Sequence, residues 1–247
     1  MAMKTGICKL CLQEKQLLNK SHIIPDFMYR DGKIYHDDHT VHKIDFGKSL
    51  KGKVARRGRQ NSGEYEGGIL CKECDGGIIK NYEDYTKLFL YGKQLSNQLM
   101  YQFSPGQVTV QNVDYAKIKL FFLSILWRAS VSSRPFFKEI KIDENVREEL
   151  REMILNGNPK GNEDFTMLFM LDAGDNPNLK QYIGQPVGSD NGRSFLFTYP
   201  GLIVYYVFDI DIVPKQILNF RIYDTGEIRL MKLSGRQIWD LFKYLFG

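Results

Sequence analysis

The sequence predicts an α+β chain in two parts, and two observations predict it. The first is the cysteine pattern. The chain has four cysteines in 247 residues, and they fall as two Cys-x-x-Cys pairs, Cys8/Cys11 and Cys71/Cys74, inside the first hundred residues. The second is the periodicity of the remainder. It mixes helical stretches with short β-branched and aromatic runs, the pattern of an antiparallel sheet with about three helices. The division is expected near Phe103-Ser-Pro-Gly106, because Pro-Gly punctuates a turn. This gives an N-terminal module over 1–104 and a C-terminal α+β module over 105–247. Hydrophobic residues make up 43% of the chain, enough for a core without disulfide staples.

In the N-terminal module Ile7–Leu12 forms the first cysteine turn. Gln16–Ile24 leads through a short strand to His22, and Pro25 ends it. Phe27–Arg30 reads as a helical turn closed by Asp31-Gly32. Lys33–Arg59 is polar and basic with little periodicity. Ile69–Cys74 is the second cysteine turn, and Gly76-Gly77 follows it. A helix then runs from about Ile78 into the 90s, with Ile78, Ile79, Tyr82, Tyr85, Leu88 and Phe89 at helical spacing.

In the C-terminal module Asp114–Ser132 reads as a helix with Asp114 near its cap. It is apolar on most faces, so a buried central helix is expected. Glu144–Leu155 is an amphipathic helix stopped by Asn156-Gly157. Phe165–Leu171, Ser194–Tyr199, Leu202–Phe208, Ile217–Tyr223 and Ile228–Lys232 read as strands. Ser234 caps a last helix, Arg236–Phe246. Tyr199, Tyr205, Tyr206 and Trp239 are expected to build the core or a homo-oligomer face. Arg128, inside the buried helix, needs a partner or a water-filled edge: a phosphate, an acid from the sheet, or a core-lining salt bridge. Arg134 is a second arginine of the same kind.

The longest apolar stretches, Ile118–Trp127 and Leu202–Ile212, are short or interrupted, so neither is expected to cross a bilayer. The start, Met1-Ala-Met-Lys-Thr-Gly, shows no apolar signal region, and a cytoplasmic location is expected. Thiols stay reduced there, which favours metal ligation over disulfides. The spacing suits four thiolates on one Zn²⁺, with Cys8, Cys11, Cys71 and Cys74 as ligands. Iron–sulfur ligation uses the same residues but normally has a closer spacing.

Residues 1–104 carry 17 Lys and Arg against 12 Asp and Glu, whereas 105–247 carry 17 of each. All of the +5 net charge therefore lies in the cysteine-bearing part. Much of it falls in Lys43–Arg59, where Lys43, Lys48, Lys51, Lys53, Arg56, Arg57 and Arg59 face one acid, Asp45. Such a loop suits a phosphate backbone, and no pattern suggests base-specific readout. His36, His39 and His42, with Asp37 and Asp38 between them, form a further metal-capable pattern or an exposed polar loop.

The run Ser21-His22-Ile23-Ile24-Pro25, bracketed by the two Cys-x-x-Cys pairs, resembles the HNH endonuclease superfamily, the ββα-metal, treble-clef-like nucleases. The resemblance covers roughly residues 7–85. It implies a zinc-stabilised ββα-metal module that hydrolyses DNA phosphodiester bonds. His22 would be the general base, and a Mg²⁺ or Mn²⁺ ion would stabilise the phosphoryl transition state. Lys51, Lys53, Arg56, Arg57 and Arg59 would bind the nucleic acid. Departures from the family are specific. Ser21 stands where an acid or His is usual, Glu66 where an Asn is frequent, and Asp75 where a metal-binding His or Asn follows the second pair. Asp75 and Glu83 are the acids placed to substitute as metal ligands. Eight residues apart on a helix they sit about 12 Å apart along its axis, and sharing one ion requires a bend at Gly76-Gly77. The alternative is a degenerate zinc scaffold that binds nucleic acid or a protein without cleavage. In a third reading the C-terminal module binds a nucleotide or partner. A role in nucleic-acid defence or mobile-element biology is expected by association.

Overall fold

The computed structural model describes residues 4–35, 41–44, 58–60, 63–92, 98–174 and 182–246, with backbone alone at 41–44, 58–60 and 246. The chain is α+β, as the sequence predicts, and its cysteine-bearing part is built from short strands. A hairpin of β1 (Lys4–Ile7) and β2 (Glu14–Leu17) carries the first cysteine turn. β3 (Ser21–His22) follows and pairs antiparallel with β6 (Tyr65–Glu66). α1 (Asp26–Arg30) starts directly after Pro25, its N-cap, which has extended backbone (ψ 140°). Between α1 and β6 lie β4 (Val41–Ile44) and β5 (Gly58–Gln60), an antiparallel pair.

Cys71 opens the helical segment that ends this part. Cys74–Ile79 forms a π-helical turn, and α2 (Lys80–Tyr91) continues from it. The widened turn contains Gly76-Gly77, where a side chain would meet open space. Neither glycine takes a positive φ, so neither packing nor backbone conformation demands glycine there.

The expected joint at Pro105-Gly106 is a hairpin turn. Gly106 takes φ +72° and closes β7 (Met100–Ser104) onto β8 (Gln107–Gln111), with Ser104 opposite Gln107. Both strands belong to the large sheet. It comprises β7, β8, β9 (Thr166–Asp172), β11 (Val187–Gly188), β12 (Ser194–Tyr199), β13 (Leu202–Val207) and β14 (Glu227–Leu233). The order is β11-β12-β13-β9-β14-β8-β7, antiparallel throughout except for β9 beside β14. β10 (Ile183–Gly184) instead runs parallel to β4, joining the insertion of the first part to the second.

Two-residue alternation makes this sheet the middle layer. Met167, Phe169, Phe195, Phe197, Val204 and Tyr206 face α3 (Tyr115–Val131) and the cysteine-bearing part. Leu168, Met170, Leu196, Ile203 and Tyr205 face α6 (Gly235–Phe246) through Ile238 and Phe242. α3 is the buried central helix that the sequence predicts, with every residue from Ile118 to Ala129 buried. Tyr199, Tyr205 and Tyr206 are core residues.

Helix ends follow their sequence signals. Asp114 accepts the Lys117 N–H at 3.0 Å. α4 (Glu144–Asn156) stops at Gly157, φ +68°. Ser234 and Gln237 bond reciprocally in a capping box. Asp114→Ala is expected to cost about 1 kcal/mol in a denaturant melt. An unchanged midpoint would show that the cap contributes nothing.

One predicted strand is absent. Over Ile217–Tyr223, Pro214 starts a short helix, α5 (Lys215–Leu218), and only isolated bridges at Arg221 and Ile222 touch the sheet. The residue types there suit a strand, but a helical turn capped by Pro214 occupies the start of the segment. Among the described residues, no helix is long and apolar enough to cross a membrane.

Candidate metal centre and the His22 site

The four cysteines converge. Their Sγ atoms all lie within 4.8 Å of one another. Tetrahedral Zn–S bonds of about 2.3 Å place sulfurs about 3.8 Å apart, so the cluster suits one zinc ion. The backbone builds it. Leu12, φ +57°, returns the first turn, and its N–H bonds to Cys8 O at 2.8 Å. Lys9 N–H bonds to Ile69 O at 2.9 Å and Cys71 N–H to Cys8 Sγ at 3.4 Å, locking the two turns together.

The thiols are electrostatically incompatible with full ionisation on their own. The hydrogen bond from Cys74 lowers Cys8 to about 4, and the same contact raises Cys74. Burial raises Cys71 to about 11. A bound dication resolves that conflict by stabilising all four as thiolates. Among the described residues this is the group of ligand atoms close enough to hold a metal ion.

His22 lies on β3. Its Nε2 is buried and has no hydrogen-bond partner among the described residues. The nearest acid is Asp26, with Oδ1 at 3.9 Å. Asp26 is held by the Tyr35 hydroxyl at 2.8 Å and by an ion pair with Arg30. The Tyr65 ring, on the partner strand, meets the imidazole edge-on at 6.1 Å. Lys20 sits 4.4 Å and Arg134 5.9 Å from the centre of that same ring. Burial pushes the imidazole below its ordinary value. Lys20 and Arg128 act in the same direction, while Asp26 and Asp75 oppose them. The ring is therefore neutral at neutral pH, the state a base requires.

The two candidate acids flank β3 on separate errands. Asp75 accepts a 2.5 Å hydrogen bond from Ser21. Glu83 pairs with Arg128 at 3.0 Å, and burial still raises its carboxyl. Arg128 also donates to His22 O at 2.6 Å. Its partner is thus an acid of α2, a core-lining salt bridge and not a sheet acid or a phosphate. Asp75, Glu83 and His22 surround one strand, yet their ligand atoms do not gather into a second metal-capable group. In this arrangement they do not fit a divalent cation.

Glu66, on β6, binds the end of α3 through Ser132 and Ser133. Lys48, Lys51, Lys53, Arg56 and Arg57 lie outside the described residues, as do His36 and His39, and Arg59, Lys43 and His42 are described in backbone only. The sequence reading missed Asp26 and Tyr65. The His-x-x-x-Asp spacing across Pro25 was the available signal for Asp26. Tyr65 reaches His22 only through strand pairing, which spacing does not reveal. Comparison with family models, with curated proteins and with solved structures gives no match.

Proposed function

We propose that this chain is an HNH-like endonuclease that hydrolyses DNA phosphodiester bonds, with His22 as the general base. The observation that carries this reading is the His22 Nε2: a buried, neutral, unpartnered nitrogen on the strand between the two cysteine turns. A buried acceptor without a partner is where a water or substrate group would be bound. His22 would take the proton of an attacking water, and Asp26 would stabilise the imidazolium that results. Lys20, over the Tyr65 ring, would supply positive charge for a phosphate beside it, whereas Arg134, over the same ring, is paired with the buried Glu64 carboxylate at 3.5 Å. The basic segment around Lys51–Arg59 would hold the flanking backbone.

A Mg²⁺ or Mn²⁺ ion would supply Lewis-acid stabilisation, but no step is assigned to it, because Asp75 and Glu83 are engaged by Ser21 and Arg128. That engagement favours the second reading, a zinc scaffold that binds nucleic acid without cutting it. One experiment separates the two. Zinc-loaded protein is incubated with supercoiled plasmid in Mg²⁺ or Mn²⁺. Nicking by the wild type, lost in His22→Ala, is the expected result. Salt-sensitive binding without cleavage in either ion would leave the scaffold reading in its place.

A further inference from the structure

Arg128 reaches out of the central helix to the backbone of the strand that carries His22. We propose that it is a positioning residue for His22, fixing β3 from outside the cysteine-bearing part. This rests on the reading of His22 as the base. The guanidinium is 1% exposed and every contact it makes is directional. Nη1 donates to His22 O at 2.6 Å and to Glu83 Oε1 at 3.0 Å. Nη2 reaches Ser124 Oγ at 3.3 Å, and Nε reaches Ser124 O at 3.2 Å. Ser124 is one turn back on α3, so the fork is braced by the most deeply buried helix in the chain.

β3 and β6 are two residues each, extended by Ile23 N–H to Glu64 O at 2.9 Å and by Ser21 on Asp75, and Arg128 adds the tie from α3 to the His22 carbonyl itself. A stabilising ion pair alone does not account for the geometry. The shorter of the two Nη1 bonds goes to the neutral His22 carbonyl, not to Glu83. Buried pairs contribute little net stability, whereas their best-attested use is to fix register. The guanidinium suits this task because its planar donors bind two acceptors in fixed directions.

The test uses the full chain, zinc-loaded, as Arg128→Met, Glu83→Gln and the double variant. Two quantities are read: the NOE between the His22 and Tyr65 rings, and the kcat and KM for plasmid nicking. Arg128→Met is expected to lose the NOE and to lower kcat about 10²-fold, with KM and zinc content unchanged. Glu83→Gln keeps Arg128 on His22 O and so keeps the NOE. Arg128→Met alone strands a buried carboxylate. If it does not fold, the double variant compared with Glu83→Gln carries the same expectations. A folded Arg128→Met or double variant that retains the NOE, or retains kcat, overturns the proposal. Should the wild type not cleave, the nuclease reading fails separately, and the NOE alone decides whether Arg128 positions His22.

Discussion

Removing the metal from the four-thiolate site is expected to unfold the cysteine-bearing part. The elements it holds cannot stand alone: β1 and β2 are four residues each, and β3 and β6 are two. What joins the two turns is a few backbone bonds, such as Lys9 N–H to Ile69 O, and the thiolate cluster. Structural zinc contributes about 10–16 kcal/mol of apparent binding energy in small zinc modules, comparable with the whole stability of a domain. Elemental analysis should find one zinc per chain. A chelator under reducing conditions, or Cys71→Ser, should abolish it and lower the melting temperature by well over about 10 °C. The loss should extend to α2, because Cys71 and Cys74 open that helical segment. A zinc-free chain that melts like the wild type would show that the cysteines are only buried thiols.

The second large effect falls on activity. Replacing His22 with alanine should lower DNA cleavage about 10²–10⁴-fold while leaving zinc content and melting temperature near wild type. The pH profile carries the sharper signature. Burial holds the folded imidazole below its ordinary value of 6.5. Cleavage should therefore rise with pH along an acid limb whose midpoint lies below 6.5, and level off above it. Stability follows the same sign. The unfolded chain binds the His22 proton first as pH falls, so the contribution of neutral His22 is present above 6.5 and is lost on going below it. An acid limb centred at or above 6.5 would assign the proton to another group. Cleavage that survives in His22→Ala would remove the base altogether.

Much of this architecture is legible in the sequence, for identifiable reasons. Strands β12 and β13 are found because six-residue aromatic and β-branched runs, buried on both faces, suit a strand, and β14 because its buried positions alternate. α3, α4 and α6 are found because Asp114, Gly157 and Ser234 sit at their ends. The β7–β8 hairpin was hidden because Pro105-Gly106 looks the same in a linker as in a tight turn. The stretch after Pro214 was misread because its composition suits a strand and its first residue suits a helix. The cysteine cluster follows from spacing alone. The His22 surroundings do not. Asp75 meeting Ser21 across 54 residues, and Arg128 meeting Glu83 across 45, depend on how helices pack, which no local pattern records.

The first cysteine turn is tied to helices α3 and α4 in the second part of the chain, and this constrains how the protein assembles during synthesis. Arg151 on α4 donates to Leu10 O, 141 residues away, and Lys9 reaches Val131 O, 122 residues away. β4 waits longer still, since its parallel partner is Ile183–Gly184. A ribosome releases the two cysteine turns well before any of these partners emerge. For that interval the nascent segment has its own ties, Lys9 N–H to Ile69 O and the β3–β6 pair, and the parallel partner of β4 arrives only after residue 184 has left the tunnel. A zinc ion taken up by the cysteine cluster during translation would join the two turns before their partners in the second part exist.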